Sequence, residues 1–348
     1  MLAFVAVLAA VAGSVRGAEF PQIDPAGWKD QAALPEAVSH QRAIALTRAL
    51  LSIGGQDRHG RPVASVYRSS LSGNGECGAW VKEAGLPAGV SDHAASEAGG
   101  FVYVTGGLKA GKGTGSPTDE IWVAAPGADG RVSRWSSGGR LPEPLQGHVQ
   151  VTCRGRIYVI GGTAPSGCRS SVWLAAPGAR IAGWKQVTPL PVPLVGAAAT
   201  SVGNYLIVLG GQSPGSGKTL VMPTVYVGPV FEDGTVPTWY LASSKLPGPW
   251  LGFGRCQAAA VTWRNSVFCI GGQDPLWFLL DSIAAAAFDP EKGETTGWGV
   301  TPGPEGMHQL CAAVVWKDSL YLVGGTVKGE VTAKVLRGRF GMAKKEEE

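Results

Sequence analysis

Apolar runs that end on a Gly-Gly doublet recur six times along the chain. Two of them read FVYVTGG (101–107) and RIYVIGG (156–162). The doublets begin at Gly54, Gly106, Gly161, Gly210, Gly271 and Gly324. Because the runs are continuously apolar rather than alternating, they predict strands that are packed on both faces.

Tryptophan and Leu-Pro repeat with the same period. Leu-Pro follows the first five repeat tryptophans after six or seven residues, and in the first four copies the doublet begins 19 residues after the proline. The repeat tryptophans are Trp28, Trp80, Trp135, Trp184, Trp239 and Trp298. A fixed period of about 50 residues that holds several short strands is typical of a radial β-repeat.

Turn residues divide each copy into four strands, A to D. Strand A follows Leu-Pro, strand B is the apolar run, strand C follows a polar, glycine-rich loop, and strand D carries the tryptophan. Glycine tolerates positive φ and close contact, and tryptophan supplies apolar area for packing between blades. The doublets and the repeat tryptophans are therefore predicted to be structural residues.

These features together resemble the kelch motif. An apolar run and Gly-Gly are followed by an aromatic residue, such as Trp122 or Trp173, and then by a tryptophan 11 to 13 residues later. The resemblance covers residues 26–339 and is carried by six copies in phase. It implies an all-β fold, a six-bladed kelch-type β-propeller with one four-stranded blade per copy.

The phase of the repeat predicts how the ring closes. After its N-terminal segment the chain starts in a strand D at Trp28, and it ends in a strand C at 331–339. Residues 26–31 should therefore form the outer strand of the sixth blade beside 331–339, so that no blade edge is left free. The propeller is predicted over 19–341, followed by a disordered charged tail, 342–348.

The N-terminus resembles a secretory signal peptide over residues 1–18. Its apolar core, Leu2 to Val11, is followed by small residues, which predicts export to the periplasm or the extracellular space. A membrane anchor and a misplaced start codon are the competing interpretations. About 10 apolar residues are too few for a transmembrane helix, so no membrane span is predicted once the signal is removed.

The composition is typical of a protein with many short strands, and its charge argues against a nucleic-acid partner. Glycine (52 residues) and proline (24) are frequent, and 45% of the residues are hydrophobic. The net charge is +4 without a Lys/Arg cluster in the sequence, which predicts no nucleic-acid partner. Of the six cysteines, Cys77 and Cys168 lie in turn-like segments and are the better candidates for a disulfide or a free thiol.

Histidine is the most regular polar feature near the predicted mouth of the channel. Four of the five histidines, His40, His93, His148 and His308, follow a proline by four to six residues at the start of strand A. Arg255 and Gln257 hold the comparable place in the fifth copy. Three interpretations stay open: space-filling residues, a ligand site for sugar hydroxyls, or a metal site, which the spacing of separate blades disfavours.

The first loop between strands B and C holds the densest charge cluster. Asp57, Arg58, His59 and Arg61 lie there after Gln56, and an ordinary solvated turn is the competing interpretation. The sequence contains no catalytic triad and no nucleotide motif, and it predicts neither a cofactor nor a metal ion.

Two segments resemble the sialic acid mutarotase family, including its cyclically permuted members. LPGPWLGFGRCQ (246–257) is similar to the family's P-G-x-x-R-x-Q stretch with an insertion, and GGQDRHGRP (54–62) is similar to the loop with its proposed Glu and Arg. The resemblance implies that Gln56 or Asp57 stands for the Glu and Arg61 for the Arg. Glutamine cannot act as a general base, so Asp57 would be needed.

The sequence therefore predicts an exported propeller that binds or acts on a carbohydrate at the channel mouth, possessing mutarotase or epimerase activity if it is an enzyme. Asp57 and Arg61 are the predicted catalytic residues. The predicted ligand-binding residues are His40, His93, His148, His308, Arg255, Gln257 and Gln56. The alternative is a non-catalytic propeller scaffold that binds a glycan or a protein.

Overall fold

The computed structural model describes residues 21–24, 27–111, 115–215, 219–247, 254–304 and 310–342. The predicted signal peptide, His308 and the tail beyond Met342 lie outside these residues. The described chain contains 34 β-strands and no helix that could cross a membrane.

The strands form six antiparallel blades that follow one another along the chain. Two N-terminal strands come first, β1 (Pro21–Ile23) and β2 (Lys29–Asp30). Blade 1 comprises β3 (Arg42–Ala45), β4 (Ala49–Ile53), β5 (Val66–Leu71) and β6 (Cys77–Lys82). Blade 2 comprises β7 (Val90–Ser91), β8 (Ala94–Ala98), β9 (Phe101–Thr105), β10 (Leu108–Lys109), β11 (Ser116–Ala124) and β12 (Ser136–Leu145).

Blades 3 and 4 each carry an extra short hairpin in the loop between their second and third long strands. Blade 3 comprises β13 (Val149–Cys153), β14 (Arg156–Ile160), β15 (Thr163–Ala164), β16 (Gly167–Cys168), β17 (Val172–Ala175) and β18 (Lys185–Val187). Blade 4 comprises β19 (Ala198–Val202), β20 (Tyr205–Leu209), β21 (Gln212–Pro214), β22 (Thr219–Val221), β23 (Val225–Pro229) and β24 (Tyr240–Leu241).

Blades 5 and 6 complete the ring. Blade 5 comprises β25 (Ala259–Trp263), β26 (Ser266–Ile270), β27 (Ser282–Asp289), β28 (Glu294–Thr295) and β29 (Gly299–Pro302). Blade 6 comprises β30 (Ala312–Trp316), β31 (Ser319–Val323), β32 (Thr326–Val327), β33 (Glu330–Val331) and β34 (Val335–Met342), with β2 and β1 paired to the outer side of β34.

The N-terminal strand closes the ring as the phase of the repeat predicts. Lys29 pairs with Arg337 and Asp30 with Leu336, while β1 pairs with the end of β34. The last strand extends to Met342, one residue into the predicted tail. The sixth blade is therefore built from both ends of the chain, which removes its free edge.

The core is divided among the six interfaces between neighbouring blades. The buried hydrophobic residues form six clusters, and each cluster joins two adjacent blades. Along β14, Tyr158 and Ile160 pack towards blade 4, whereas Ile157 and Val159 pack towards blade 2. This two-sided burial explains why the apolar runs do not alternate with polar residues.

The repeat tryptophans contribute hydrogen bonds as well as apolar area. The indole Nε1 of Trp135 donates to the carbonyl of Ala84 at 3.0 Å, and that of Trp239 donates to Thr188 at 2.9 Å. Trp80 and Trp184 make the same bond to the preceding blade. Each of these tryptophans thus fixes the outer strand of its blade to the previous one.

Five of the six Gly-Gly doublets join their blade to the next by a backbone hydrogen bond among the described residues. The N–H of the second glycine donates to a carbonyl in the loop that enters the next blade, as from Gly107 to Leu145 at 2.7 Å. The same bond links Gly55 to Val90, Gly162 to Leu194, Gly211 to Arg255 and Gly325 to Val38. A close approach of another blade at these glycines was predicted, with an aromatic side chain as the approaching group. The approach is present, but the group that an added Cβ on the first glycine of these five doublets would overlap is this backbone carbonyl.

Replacing a doublet glycine should cost far more than replacing a turn glycine. In Gly106→Ala the new Cβ would lie 2.6 Å from the Leu145 carbonyl oxygen at φ +56°, so we expect a loss of about 3 kcal/mol or more of unfolding free energy. Gly100→Ala is the matched control, because Gly100 also has positive φ and its Cβ would meet nothing within 4 Å; it should cost about 1 kcal/mol. Urea unfolding measures both, and equal losses would contradict the packing argument.

Candidate functional site

The loops that enter the blades surround the mouth of the channel with a ring of left-handed residues. The residue two positions before each innermost strand has positive φ: His40 (54°), Asp92 (49°), Gly147 (60°), Gly196 (61°), Gln257 (54°) and Leu310 (52°). The N–H of Gln257 donates to Gly196 at 2.7 Å, and the N–H of Gly196 donates to Gly147 at 2.9 Å. The left-handed backbone thus joins neighbouring loops around the mouth.

The left-handed positions show that the histidines are not aligned as predicted. His40 occupies the left-handed position, whereas His93 and His148 lie one residue further along, directly before β8 and β13. Gln41, directly before β3, is their equivalent in blade 1. The alignment of His40 with the other two is wrong: the innermost strand begins seven residues after the Leu-Pro proline in all three loops, but His40 follows its proline by five residues, whereas His93 and His148 follow theirs by six. His308 lies outside the described residues.

His93 and His148 are buried between blades. They are 0% and 1% exposed, and each packs against the first glycine of the preceding blade's doublet. Nε2 of His148 lies 3.0 Å from the Thr105 hydroxyl, while its Nδ1 and both ring nitrogens of His93 have no hydrogen-bond partner. Burial, assisted by the charge of Arg42, lowers the pKa of His148 to about 3 and that of His93 well below its usual value. Both rings are therefore neutral at physiological pH.

Arg255 is a buried cation that holds backbone carbonyls. It is 1% exposed, and its guanidinium donates to the carbonyls of Pro247 at 3.0 Å, Gly271 at 3.2 Å and Ser282 at 2.8 Å. It also donates to the Ser282 hydroxyl at 2.9 Å. Since all its nitrogens face protein acceptors, Arg255 fixes the fifth doublet to the loop before it.

The two predicted glutamines lie at the mouth but apart from each other. Nε2 of Gln56 donates to the hydroxyl of Ser91 at 3.1 Å, which links blade 1 to blade 2. Gln257 is exposed in the left-handed ring, on blade 5. A ligand role for the predicted binding residues stays a prediction, and those with exposed or half-exposed side chains are His40, Gln56 and Gln257.

His40, Arg42 and Asp92 form a charged group where blades 1 and 2 meet the channel. Burial lowers the pKa of His40, Asp92 opposes this by raising it, and Arg42 lowers it further. Burial also lowers the pKa of Arg42. The sequence analysis missed Arg42. Arg42 could have been found from the repeat, because it is the first residue of the innermost strand. The other blades hold a small or aliphatic residue at that position: Ala94, Val149, Ala198, Ala259 and Ala312.

A cavity of about 590 Å³ opens between the loop into blade 1 and the loop between β4 and β5. Its lining includes Glu36, Asp57, Arg61, Ser65 and Tyr67. The cavity contains both predicted catalytic residues, and it adds Glu36, Ser65 and Tyr67, which the sequence did not assign a role. We call it the blade-1 cavity.

Within the blade-1 cavity, Asp57 and Arg61 form an ion pair. Nη2 of Arg61 lies 2.8 Å from Oδ2 of Asp57, while Oδ1 accepts the backbone N–H groups of His59 and Arg61 at 2.8 and 3.0 Å. Burial raises the pKa of Asp57, but these hydrogen bonds and the guanidinium outweigh it and hold the pKa at about 2. A carboxylate this acidic is a weak base at neutral pH.

The fifth blade shows that the Asp57 carboxylate shapes its loop. Asp274 follows Gly-Gly-Gln in the same way, and its Oδ1 accepts the N–H groups two and four residues later, Leu276 and Phe278, each at 2.9 Å. That loop contains no basic residue between Asp274 and Asp281. The Gly-Gly-Gln-Asp loop therefore adopts the same backbone conformation in blade 5, where no arginine pairs with the aspartate.

The remaining acidic residues of the mouth differ in their partners. Glu143 receives a bidentate pair from Arg169, with Nε at 2.9 Å and Nη2 at 2.8 Å from Oε2. Glu36 forms no ion pair among the described residues; it is exposed and accepts a hydrogen bond from Ser65 at 3.2 Å. Burial raises the pKa of Tyr67 beside it, Ser65 opposes this, and the Glu36 carboxylate raises it further.

The described residues contain no group of three or more His, Cys, Asp or Glu side chains that could hold a metal ion. All six cysteines, including Cys77 and Cys168, are free thiols.

Comparison with known proteins supports the fold. No protein-family model matches the sequence, and no curated protein sequence matches it significantly. A solved structure titled "Structure of YjhT" matches with a TM-score of 0.69 at 15% sequence identity, over 90% of this chain and 99% of that chain. This likeness shows the same propeller architecture, while membership of the kelch repeat family and a cyclic permutation stay predictions.

The buried histidines predict a loss of stability in acid. His148 stays neutral when folded but is protonated below about pH 6.5 when unfolded, so its contribution is present above pH 6.5 and is lost as the pH falls towards 3. His148→Gln, which copies Gln41, should reduce the slope of stability between pH 4 and 6 by about 1.4 kcal/mol per pH unit. Urea unfolding at several pH values measures the slope. The exposed His59→Gln is the control, and an unchanged slope in His148→Gln would contradict the assignment.

Proposed function

We propose that the protein is an exported propeller that binds a carbohydrate in the blade-1 cavity and interconverts its anomers as a sugar mutarotase. The observation that carries the proposal is a cavity of about 590 Å³ whose lining includes both Arg61 and Glu36, a carboxylate that forms no ion pair among the described residues. Ligand sites of small molecules are concave and combine few polar groups with apolar walls. The apolar N-terminal segment supports export, and the resemblance to sialic acid mutarotases supports the substrate class.

Anomer exchange needs one base and one acid in reach of the same sugar ring. The base takes the proton of the anomeric hydroxyl while the bond from the anomeric carbon to the ring oxygen breaks, and the acid protonates that oxygen. Glu36 is the base in this proposal, and Tyr67 is the acid because its raised pKa keeps the phenol protonated. The roles reverse when the rotated carbonyl is attacked again and the ring closes.

In this proposal, the charged loop between β4 and β5 binds the sugar through Arg61. The side chain of Arg61 is 72% exposed although it is paired with Asp57, so its outer face is free to contact sugar hydroxyls or a sugar carboxylate. Asp57 enters the proposal as the group that orients Arg61, since at neutral pH its low pKa disfavours proton transfer. His40 and Gln56 extend the binding surface towards the channel.

Saturation-transfer NMR on the anomers of N-acetylneuraminate and of common aldoses tests the proposal. We expect the protein to accelerate exchange for at least one sugar, and Glu36→Gln to reduce the acceleration about 100-fold or more while the sugar still binds. Arg61→Gln should instead weaken binding, by about tenfold. Glu97→Gln, an exposed carboxylate on the opposite face, is the control.

A sugar that binds without faster exchange would support the alternative, a non-catalytic binding scaffold. One observation favours that alternative: Leu276, Trp277 and Phe278 are 68%, 59% and 61% exposed at the tip of the blade-5 loop. Such consecutive exposed apolar residues are typical of contact surfaces. If no sugar either binds or exchanges faster, the carbohydrate proposal is wrong in both forms.

A further inference from the structure

The face opposite the blade-1 cavity carries a cleft lined by basic side chains. A cavity of about 410 Å³ lies between the turns of blades 5, 6 and 1, and a cavity of about 200 Å³ adjoins it and shares Asn74, Arg337 and Arg339. Five cationic residues line the two cavities, and we call them the basic cleft: Lys29, Arg264, Lys317, Arg337 and Arg339. Arg264, Lys317, Arg337 and Arg339 belong to the neighbouring blades 5 and 6, and Lys29 joins them because the ring closes.

Positive charge in the basic cleft exceeds the negative charge near it. Two carboxylates line the cavities: Glu76 pairs with Arg337 at 2.9 Å, and Asp318 accepts the indole N–H of Trp263 at 2.9 Å. Within the described part of the chain, the other four cations make no ion pair. Arg337 is only 6% exposed and also donates to Ser319 at 3.1 Å, so it forms a rigid floor.

Two cations of the cleft are held in place by strained turns and aromatic rings. Arg264 and Lys317 have φ of 51° and 52° in the turn after the innermost strand, where blades 2 and 4 use Gly99 and Gly203. Left-handed backbone costs a non-glycine residue about 1 kcal/mol, and such strain is concentrated at functional sites. The Arg264 guanidinium lies 4.4 Å and the Lys317 ammonium 4.2 Å from the ring centre of the preceding tryptophan.

We propose that the basic cleft binds a phosphate or sulfate group. A tetrahedral oxyanion offers several acceptors to converging guanidinium and ammonium donors, and guanidinium binds such groups in a bidentate manner. The exposed Arg264, Lys317 and Arg339 supply these donors, while Arg337 contributes positive charge from the floor, because its nitrogens already donate to Ser319, Glu76 and Asn74. A volume of about 410 Å³ leaves room for a sugar-sized ester of the anion. This site is independent of the blade-1 cavity.

A bound anion would also join the elements that close the ring. Lys29 belongs to the N-terminal strand, Arg339 to the last strand and Arg264 to blade 5. A ligand that binds only the closed ring shifts the folding equilibrium towards it. Binding should therefore raise the melting temperature.

Calorimetric titration at low ionic strength with inorganic phosphate, sulfate and glucose 6-phosphate tests the proposal, with glucose as the uncharged probe. We expect saturable binding of the anions, a higher melting temperature, and affinity reduced about tenfold in Arg264→Gln and in Arg339→Gln. Arg154→Gln is the matched control: Arg154 has the same left-handed turn in blade 3, with φ 49°, but lies 3.9 Å from Glu232. Tighter binding of glucose 6-phosphate than of phosphate identifies an ester, and equal binding identifies the free anion.

Two outcomes would overturn the proposal. The first is no saturable binding of any of the three anions at millimolar concentration. The second is an equal loss of affinity in Arg154→Gln, which would show attraction by general surface charge. Both exposed substitutions leave Arg337 and its contacts in place, and circular dichroism checks that the variants fold.

Discussion

The hydrogen bond from a Gly-Gly doublet to the next blade, which five of the six doublets make among the described residues, is the constraint on which the rest of the structure depends. The second glycine donates its N–H to the loop that enters the following blade, while the first lies so close to that loop that a Cβ would overlap it. This bond sets the spacing of neighbouring blades at the mouth, and the tryptophan indoles repeat the coupling at the outer strands. The loops around the mouth of the channel are therefore positioned by the doublets.

The fold could be predicted from the sequence because its signals are local and repeated. Doublets, tryptophans and turn residues each occur within one copy, and their phase predicted the pairing of Lys29 with Arg337. The histidines were harder to predict. His40 occurs one residue earlier in a loop of the same length, which puts it in the left-handed position, and the hydrogen-bonded register of the strands reveals this. The basic cleft escaped prediction because Arg264 and Lys317 lie in turns of different blades, and the phase of the repeat does not show that these turns line the same cavity as the last strand.

The structure also separates residues that look alike in the sequence. Asp57 and Asp274 follow the same Gly-Gly-Gln and cap the same loop, which explains why a carboxylate occurs there in blade 5 without a basic partner. Arg255 and the buried histidines fill the space between blades. Glu36 differs from them, since it faces a cavity, is exposed and has no ion-pair partner among the described residues. The catalytic proposal therefore moves from Asp57 to Glu36.

The central claim is that the blade-1 cavity is the sugar-binding side of the propeller. Hydrogen exchange followed by mass spectrometry, with and without a saturating sugar, tests this most directly because it reports on every loop at once. The account predicts new protection in the peptides around Glu36 and from Asp57 to Tyr67, with none at the turns that carry Arg264 and Lys317. Protection confined to the blade-5 loop around Trp277, or to the opposite face, would contradict it.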